Sequence, residues 1–129
     1  MKFTALQDIG LLVGRLFAGG MMLTHGIPKI SRFFAEGPVN FADPFGLGPE
    51  ISLGMAVFAE VICAILVMLG FKTKLATIPL MITMLVAAFY AHWDDPFGDK
   101  ELSLLYFAIY LVLFVTGGGK ISLDRIKSK

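Results

Sequence analysis

The chain has 129 residues, of which 57% are hydrophobic and 16% charged, and its mean hydropathy is +0.78. Soluble domains carry about a quarter of their residues as charges, so this composition excludes an ordinary water-soluble globular fold. Eleven Lys and Arg against ten Asp and Glu leave a net charge of +1, too little basic field for nucleic-acid phosphates, and the single cysteine, Cys63, excludes an internal disulfide, a CxxC pair or a multi-thiolate metal centre.

The first apolar run covers 9–30 and is interrupted by Arg15, His25 and Lys29. At about 1.5 Å per residue it reaches across a bilayer with some tilt. A cleaved signal peptide fits it less well, because only Lys2 marks a basic start, the run is too long and Arg15 interrupts it. Further apolar runs follow at 51–71, 75–92 and 102–116, the last being short for a span at roughly 15 residues. Each is apolar on nearly all faces, which suits lipid contact. These runs predict an all-α fold, a four-helix transmembrane bundle formed as a single domain over 1–129.

Positive charge sets the expected orientation. Lys2, Lys72, Lys74, Lys120, Arg125, Lys127 and Lys129 fall on one side of such a bundle, and Lys29, Arg32 and Lys100 on the other. The excess of Lys and Arg predicts that both termini and the 72–74 turn are cytoplasmic. The outer side then carries two longer loops. Loop 31–50 holds Phe33, Phe34, Phe41 and Phe45 among Gly and Pro, a composition suited to folding over the outer interface as a cover. Loop 93–101 starts beside Tyr90 and Trp93, as an aromatic belt does. Both loops contain Asp-Pro-Phe-Gly, at 43–46 and 95–98, the sequence of a type I turn.

Arg15 and Glu60 are the strongest chemical signal, since charges at membrane depth face the bundle interior and pair or line a wet cavity. Glu60 lies about 13 Å in from the outer face and Arg15 about seven residues in from the other, which predicts that they meet. Two readings stay open: a permanent ion pair joining the first two helices, and a cavity-lining pair in which Glu60 exchanges a proton. Cys63, one turn after Glu60, reads as a small packed residue.

His25-Gly26-Ile27-Pro28-Lys29 closes the first helix at the outer face. His25 can exchange a proton near neutral pH, and Lys29 one turn on can hold an anion or oxyanion beside it. The plainer reading is a snorkelling Lys and a capping His. His92 ends the third helix on the same side, before Asp94, Asp95, Asp99 and Glu101. No HExxH, DxDxDG or other compact ligand spacing accompanies them, so no metal site is predicted, and two His on separate helices are too little to predict a haem. At 117–124, Gly-Gly-Gly-Lys-Ile-Ser-Leu-Asp fails the phosphate-loop pattern, which requires Gly at Phe114 and Ser or Thr at Ile121. It reads instead as a helix end followed by a short surface helix whose basic residues face anionic headgroups.

In combination these features resemble the DoxX family of small four-helix membrane proteins. The resemblance rests on Arg15, on His25-Gly26-x-x-Lys29, on Glu60, on Leu69-Gly70-Phe71-x-Thr73-Lys74, on His92, on Glu101-Leu102 and on the Gly-rich 117–124 string. It covers almost the whole chain. The Phe-rich loop 31–50 and the acidic 93–95 segment are elaborations on it.

The resemblance implies a multi-pass protein of a prokaryotic cytoplasmic (inner) membrane, some relatives of which are subunits of quinone-linked oxidoreductases. The expected function is therefore that of a membrane subunit in such a system, with quinone as its carrier, a redox subunit as its partner, and the lipid bilayer around it. His25, Lys29, Glu60 and His92 would form a polar, proton-exchanging site near the outer face, with Arg15 and Glu60 as a structural or relay pair. Phe and Met side chains would supply an apolar slot. A homo-oligomer is compatible with this reading. The alternatives are a non-catalytic scaffold for a partner enzyme and, below it, a small-molecule transporter or channel.

Overall fold

The structure is a computed structural model that describes residues 4–35, 37–39, 41, 43–91 and 94–127. Among these residues it is all-helical. Helix α1 (Ala5–Ile30) starts in a capping box, in which the Gln7 N–H donates to the Thr4 hydroxyl at 3.2 Å and the Thr4 N–H to the Gln7 side chain at 2.8 Å. It runs through Pro28 and continues as a 3-10 turn over Ser31–Phe34, so the Gly26 and Pro28 signals do not end it. Pro28 has no N–H to donate to the Thr24 carbonyl, so α1 carries it at the cost of one backbone hydrogen bond in its last turn.

Helix α2 (Pro49–Leu69) has Pro at its first turn and a π-helical turn at Phe58–Cys63. It stops at Gly70, whose φ of 70° allows a Schellman closure, with the Phe71 N–H donating to the Leu66 carbonyl at 3.0 Å. Helix α3 (Thr73–Tyr90) follows at once and becomes π-helical at Ala87–Ala91. Helix α4 (Phe97–Thr116) ends at Gly117, and a short α5 (Leu123–Lys127) lies beyond it.

Three segments, Ala5–Phe34, Pro49–Leu69 and Thr73–Tyr90, are long and apolar enough to cross a membrane. Helix α4 falls short by this measure because its first turns carry Asp99, Lys100 and Glu101. It packs along α3 and touches α1, while α1 lies along α2 and α2 meets α3. The core is made of small and apolar residues, among them Ala18, Met22, Ala59, Cys63, Ala64, Val67 and Leu80. Cys63 is buried among them, in keeping with a packing role. Phe17, Ile27, Phe58, Leu75 and Val112 are exposed, whereas Arg15, Glu60, Thr73 and Thr77 are buried. This inside-out distribution belongs to a bilayer, where apolar side chains need no shelter and charges do.

The α1–α2 contact is fixed by two glycines. A Cβ on Gly19 would lie 2.3 Å from Met68 Cγ and 2.7 Å from the Ala64 carbonyl oxygen, and one on Gly26 would lie 2.8 Å from both Glu60 Cβ and the Glu60 carbonyl oxygen. Small residues let the backbones approach, as helices in lipid commonly require. The same contact sets the vertical register: Gly26, and so Lys29 one turn on, stands level with Glu60.

A polar cavity pair around Lys29 and Glu60

Glu60 sits in the π-turn of α2, 1% exposed, and Lys29 is 24% exposed near the end of α1. The Lys29 ammonium donates to Glu60 Oε1 at 2.7 Å and to Oε2 at 2.5 Å. The expected Arg15–Glu60 pair is therefore corrected: the partner of Glu60 is Lys29. The physical reason is register. Arg15 stands some eleven residues, or about 16 Å, down α1 from Gly26, further than its side chain can reach.

The ion pair borders two cavities. The larger, about 450 Å³, lies under Phe41, Pro44 and Phe45 between α2 and α3, with Ser52, Met55, Ile82 and Thr83 in its wall beside Lys29 and Glu60. Phe41 is held by two cations, with Lys29 Nζ 5.9 Å and the Arg32 guanidinium 5.6 Å from its ring centre. The smaller cavity, about 190 Å³, is lined by His25, Lys29, Glu60, Ser103 and Tyr106. His25 is exposed and meets Tyr106 edge to face, 6.0 Å between ring centres. Next to it Tyr106 stacks on Tyr110, whose hydroxyl donates to the Ala18 carbonyl at 3.1 Å.

His25, Lys29 and Glu60 all line the smaller cavity. His92 lies outside the described residues. Ser103 and Tyr106 were missed, although Tyr106 and Tyr110 at helical i, i+4 spacing were a readable signal. The π-turns left no such signal. Glu60 lies in one and Ala87, which borders both cavities, begins the other. Single π-turns commonly mark functional positions in helices.

The first Asp-Pro-Phe-Gly string fastens the cover. Asp43 accepts from the Leu47 N–H at 2.9 Å, the Gly48 N–H at 3.0 Å and the Ser52 hydroxyl at 3.0 Å, tying the loop to the start of α2. Its desolvation opposes the charge, but these donors outweigh it and hold the carboxyl below its ordinary range.

Arg15 instead locks the other end of the molecule. It is fully buried, and its Nη2 donates to the Ile121 carbonyl. Asp124 accepts from the Lys72 N–H at 2.6 Å and the Thr73 N–H at 2.9 Å, and its own N–H donates to the Gly70 carbonyl at 2.8 Å. Asp8 accepts from the Lys120 N–H at 3.1 Å. The 117–124 string is therefore a clamp across α1 and the α2–α3 turn.

Partial burial raises the Asp124 carboxyl, but the Thr73 and Lys72 N–H donors and the Arg15 charge outweigh it and hold it below its ordinary value of 3.8. A depressed carboxylate adds stability above that value, and the contribution is lost as pH falls through the folded-state value. The D124N variant is expected to be less stable than the wild type at neutral pH, with the two unfolding curves converging below about pH 4. Thermal unfolding in detergent across pH measures this, and a constant gap would show that ionisation of Asp124 contributes nothing.

The relatives include inner membrane proteins. The chain is 33% identical over 135 residues to inner membrane protein YphA of Escherichia coli (strain K12), covering 95% of this chain and 94% of that one. It is 31% identical over 140 residues to an uncharacterized protein of Haemophilus influenzae, covering 100% of this chain and 93% of that one. It is 27% identical over 128 residues to inner membrane protein YqjF of E. coli (strain K12), with 96% of each chain covered. No solved structure matches. With its three membrane-length helices, the chain is a multi-pass inner membrane protein. Residues 10–93 match the DoxX family, and the chain belongs to it.

Proposed function

We propose that this protein is the membrane subunit of a quinone-linked oxidoreductase system, and that the cavity beside Lys29 and Glu60 receives the quinone headgroup. In this reading α4 crosses the membrane as a fourth span, both termini are cytoplasmic, and the cavity lies towards the outer face. The observation that carries it is the shape and chemistry of the larger cavity. The Lys29–Glu60 pair, with Arg32, Ser52 and Thr83, sets polar groups in a mostly apolar wall, and a second hollow of about 470 Å³ adjoins it along α2 and α3, sharing Met55, Ile82 and Thr83 with it. Phe58 and Pro79 continue that apolar wall. A polar head with a long hydrocarbon tail is the ligand class that such a pair of spaces fits.

A quinone bound there supplies two-electron, two-proton exchange, the electrons passing to or from a partner subunit. The residues of this chain supply donors, a proton acceptor and the exclusion of water. Lys29 offers an ammonium donor at the head of the cavity. Glu60 borders both cavities, so a proton taken up on its carboxylate as Lys29 turns aside can leave through the smaller one, beside Ser103 and the exposed His25. Phe41 and the loop fastened by Asp43 keep the larger space covered.

Purification in mild detergent, followed by solvent extraction and absorbance spectroscopy, tests the reading. Wild-type protein is expected to retain quinone or to bind a short-tailed benzoquinone saturably, and I82W, which fills the tail space, is expected to weaken binding about tenfold or more. A clean, folded wild-type protein that neither carries nor binds any quinone removes the proposal.

A further inference from the structure

The smaller cavity beside the Lys29–Glu60 pair is built differently from the larger one. Its volume is about 190 Å³, and His25 and Lys29 from α1, Glu60 from α2, and Ser103 and Tyr106 from α4 bring polar groups to its wall. His25 and Leu102 belong to the same wall and are exposed, so the space opens on the membrane face that the end of α1 reaches. In the other direction it closes. Two turns down α1 and one turn down α4, Ala18 and Tyr110 are buried, and Tyr110 spends its hydroxyl on the Ala18 carbonyl at 3.1 Å.

Water inside a protein requires room and polar partners, and this cavity offers both. At about 30 Å³ of liquid volume per molecule, 190 Å³ takes about six waters, each needing about two to four polar partners. Tyr106 meets His25 edge to face at 6.0 Å and stacks on Tyr110 at 6.1 Å, so its ring is a fixed side of the space. A buried carboxylate at membrane depth that borders such a space is placed to exchange a proton with it.

We infer that the smaller cavity is a water-filled proton half-channel, running from the exposed His25 to the buried Glu60 and ending there. The inference deepens the redox reading, on which the origin of the proton rests. Glu60 takes a proton from a ligand hydroxyl on the larger-cavity side and gives it to the nearest water on the other, each transfer breaking one O–H bond and forming another, with no electron moving. Ser103 and Tyr106 hold the water file between Glu60 and His25. Because the route stops at Glu60, the protein carries no passive proton current.

Brief X-ray radiolysis of the full-length protein in nanodiscs, read by mass spectrometry, tests this, because hydroxyl radicals form where water stands and oxidise the nearest reactive side chain. Met22 and Met84 line the cavity at 1% and 5% exposure, whereas Cys63, 2% exposed, lines neither cavity. Both sulfur types oxidise readily, so Met22 and Met84 are expected to be labelled and Cys63 to be spared. S103L, which puts a leucine into the space, is expected to remove most of the methionine labelling while thermal unfolding shows it still folded. Met22 and Met84 as unlabelled as Cys63, or labelling unchanged in folded S103L, overturns the inference, and the wild-type comparison decides even if S103L does not fold. In proteoliposomes an imposed pH gradient is expected to decay as slowly as in protein-free vesicles, and faster collapse overturns the half-channel. Neither measurement uses quinone, so each reads the water file separately from quinone retention.

Discussion

K29M is expected to destabilise the protein by about 3–5 kcal/mol, because it strands the buried Glu60 carboxylate without its only counter-ion among the described residues. Lys29 gives Glu60 two charge-assisted hydrogen bonds, and removing one member of a buried pair leaves the other with its full desolvation penalty. The double variant K29M/E60L removes both charges. Replacing a buried pair by apolar residues is often neutral, so this variant is expected to recover most of the lost stability while losing quinone binding. Thermal unfolding of wild type, K29M, E60L and K29M/E60L in detergent closes the cycle. If K29M unfolds at the wild-type temperature, the pair contributes nothing to the fold.

G70V is expected to prevent stable folding. Gly70 has φ of 70°, a conformation that penalises a β-branched residue by about 1–3 kcal/mol. The added Cβ would also lie 1.9 Å from Arg15 Nη1 and 2.4 Å from Ser122 Cβ, so the valine would expel the guanidinium and open the clamp around Ile121 and Asp124. Displacing the guanidinium breaks its hydrogen bond to the Ile121 carbonyl, a further loss of about 1.5–3 kcal/mol. Size-exclusion chromatography should show aggregate in place of a discrete peak. G10A is the matched control, since a Cβ there meets nothing within 4 Å and sits inside α1, where it is expected to leave stability unchanged or raise it by up to about 1 kcal/mol. A discrete, wild-type-like G70V peak would show that the Arg15 clamp is dispensable.

The membrane-length runs were readable in the chain because lipid leaves a coarse signature, long stretches of apolar residues on every face. His25, Lys29 and Glu60 were readable for a related reason: polar groups at such positions are rarely idle. Their pairing was not. Composition places a charge on a helix but leaves open how far that helix slides against its neighbour, and the slide is set by the close approach at Gly19 and Gly26. Arg15 and Lys29 lie about four turns apart on α1, and the register decides which of them stands at the level of Glu60. Arg15 had the right chemistry to pair with a carboxylate, and its burial was foreseeable, yet the 117–124 string that accepts from its Nη2 lies more than a hundred residues away. The role of Phe41 as a wall of the larger cavity depended likewise on a loop anchored by Asp43, a contact that only the fold creates.

The most direct measurement is photolabelling of the protein in lipid nanodiscs with a photoreactive quinone, followed by peptide mapping. Adducts are expected on the segments carrying Phe41, Met55 and Ile82, saturating with dose, competed by unlabelled quinone and lost in K29M/E60L. Labelling that never saturates and spreads over the lipid-facing helices, or adducts unchanged in that double variant, would contradict the account.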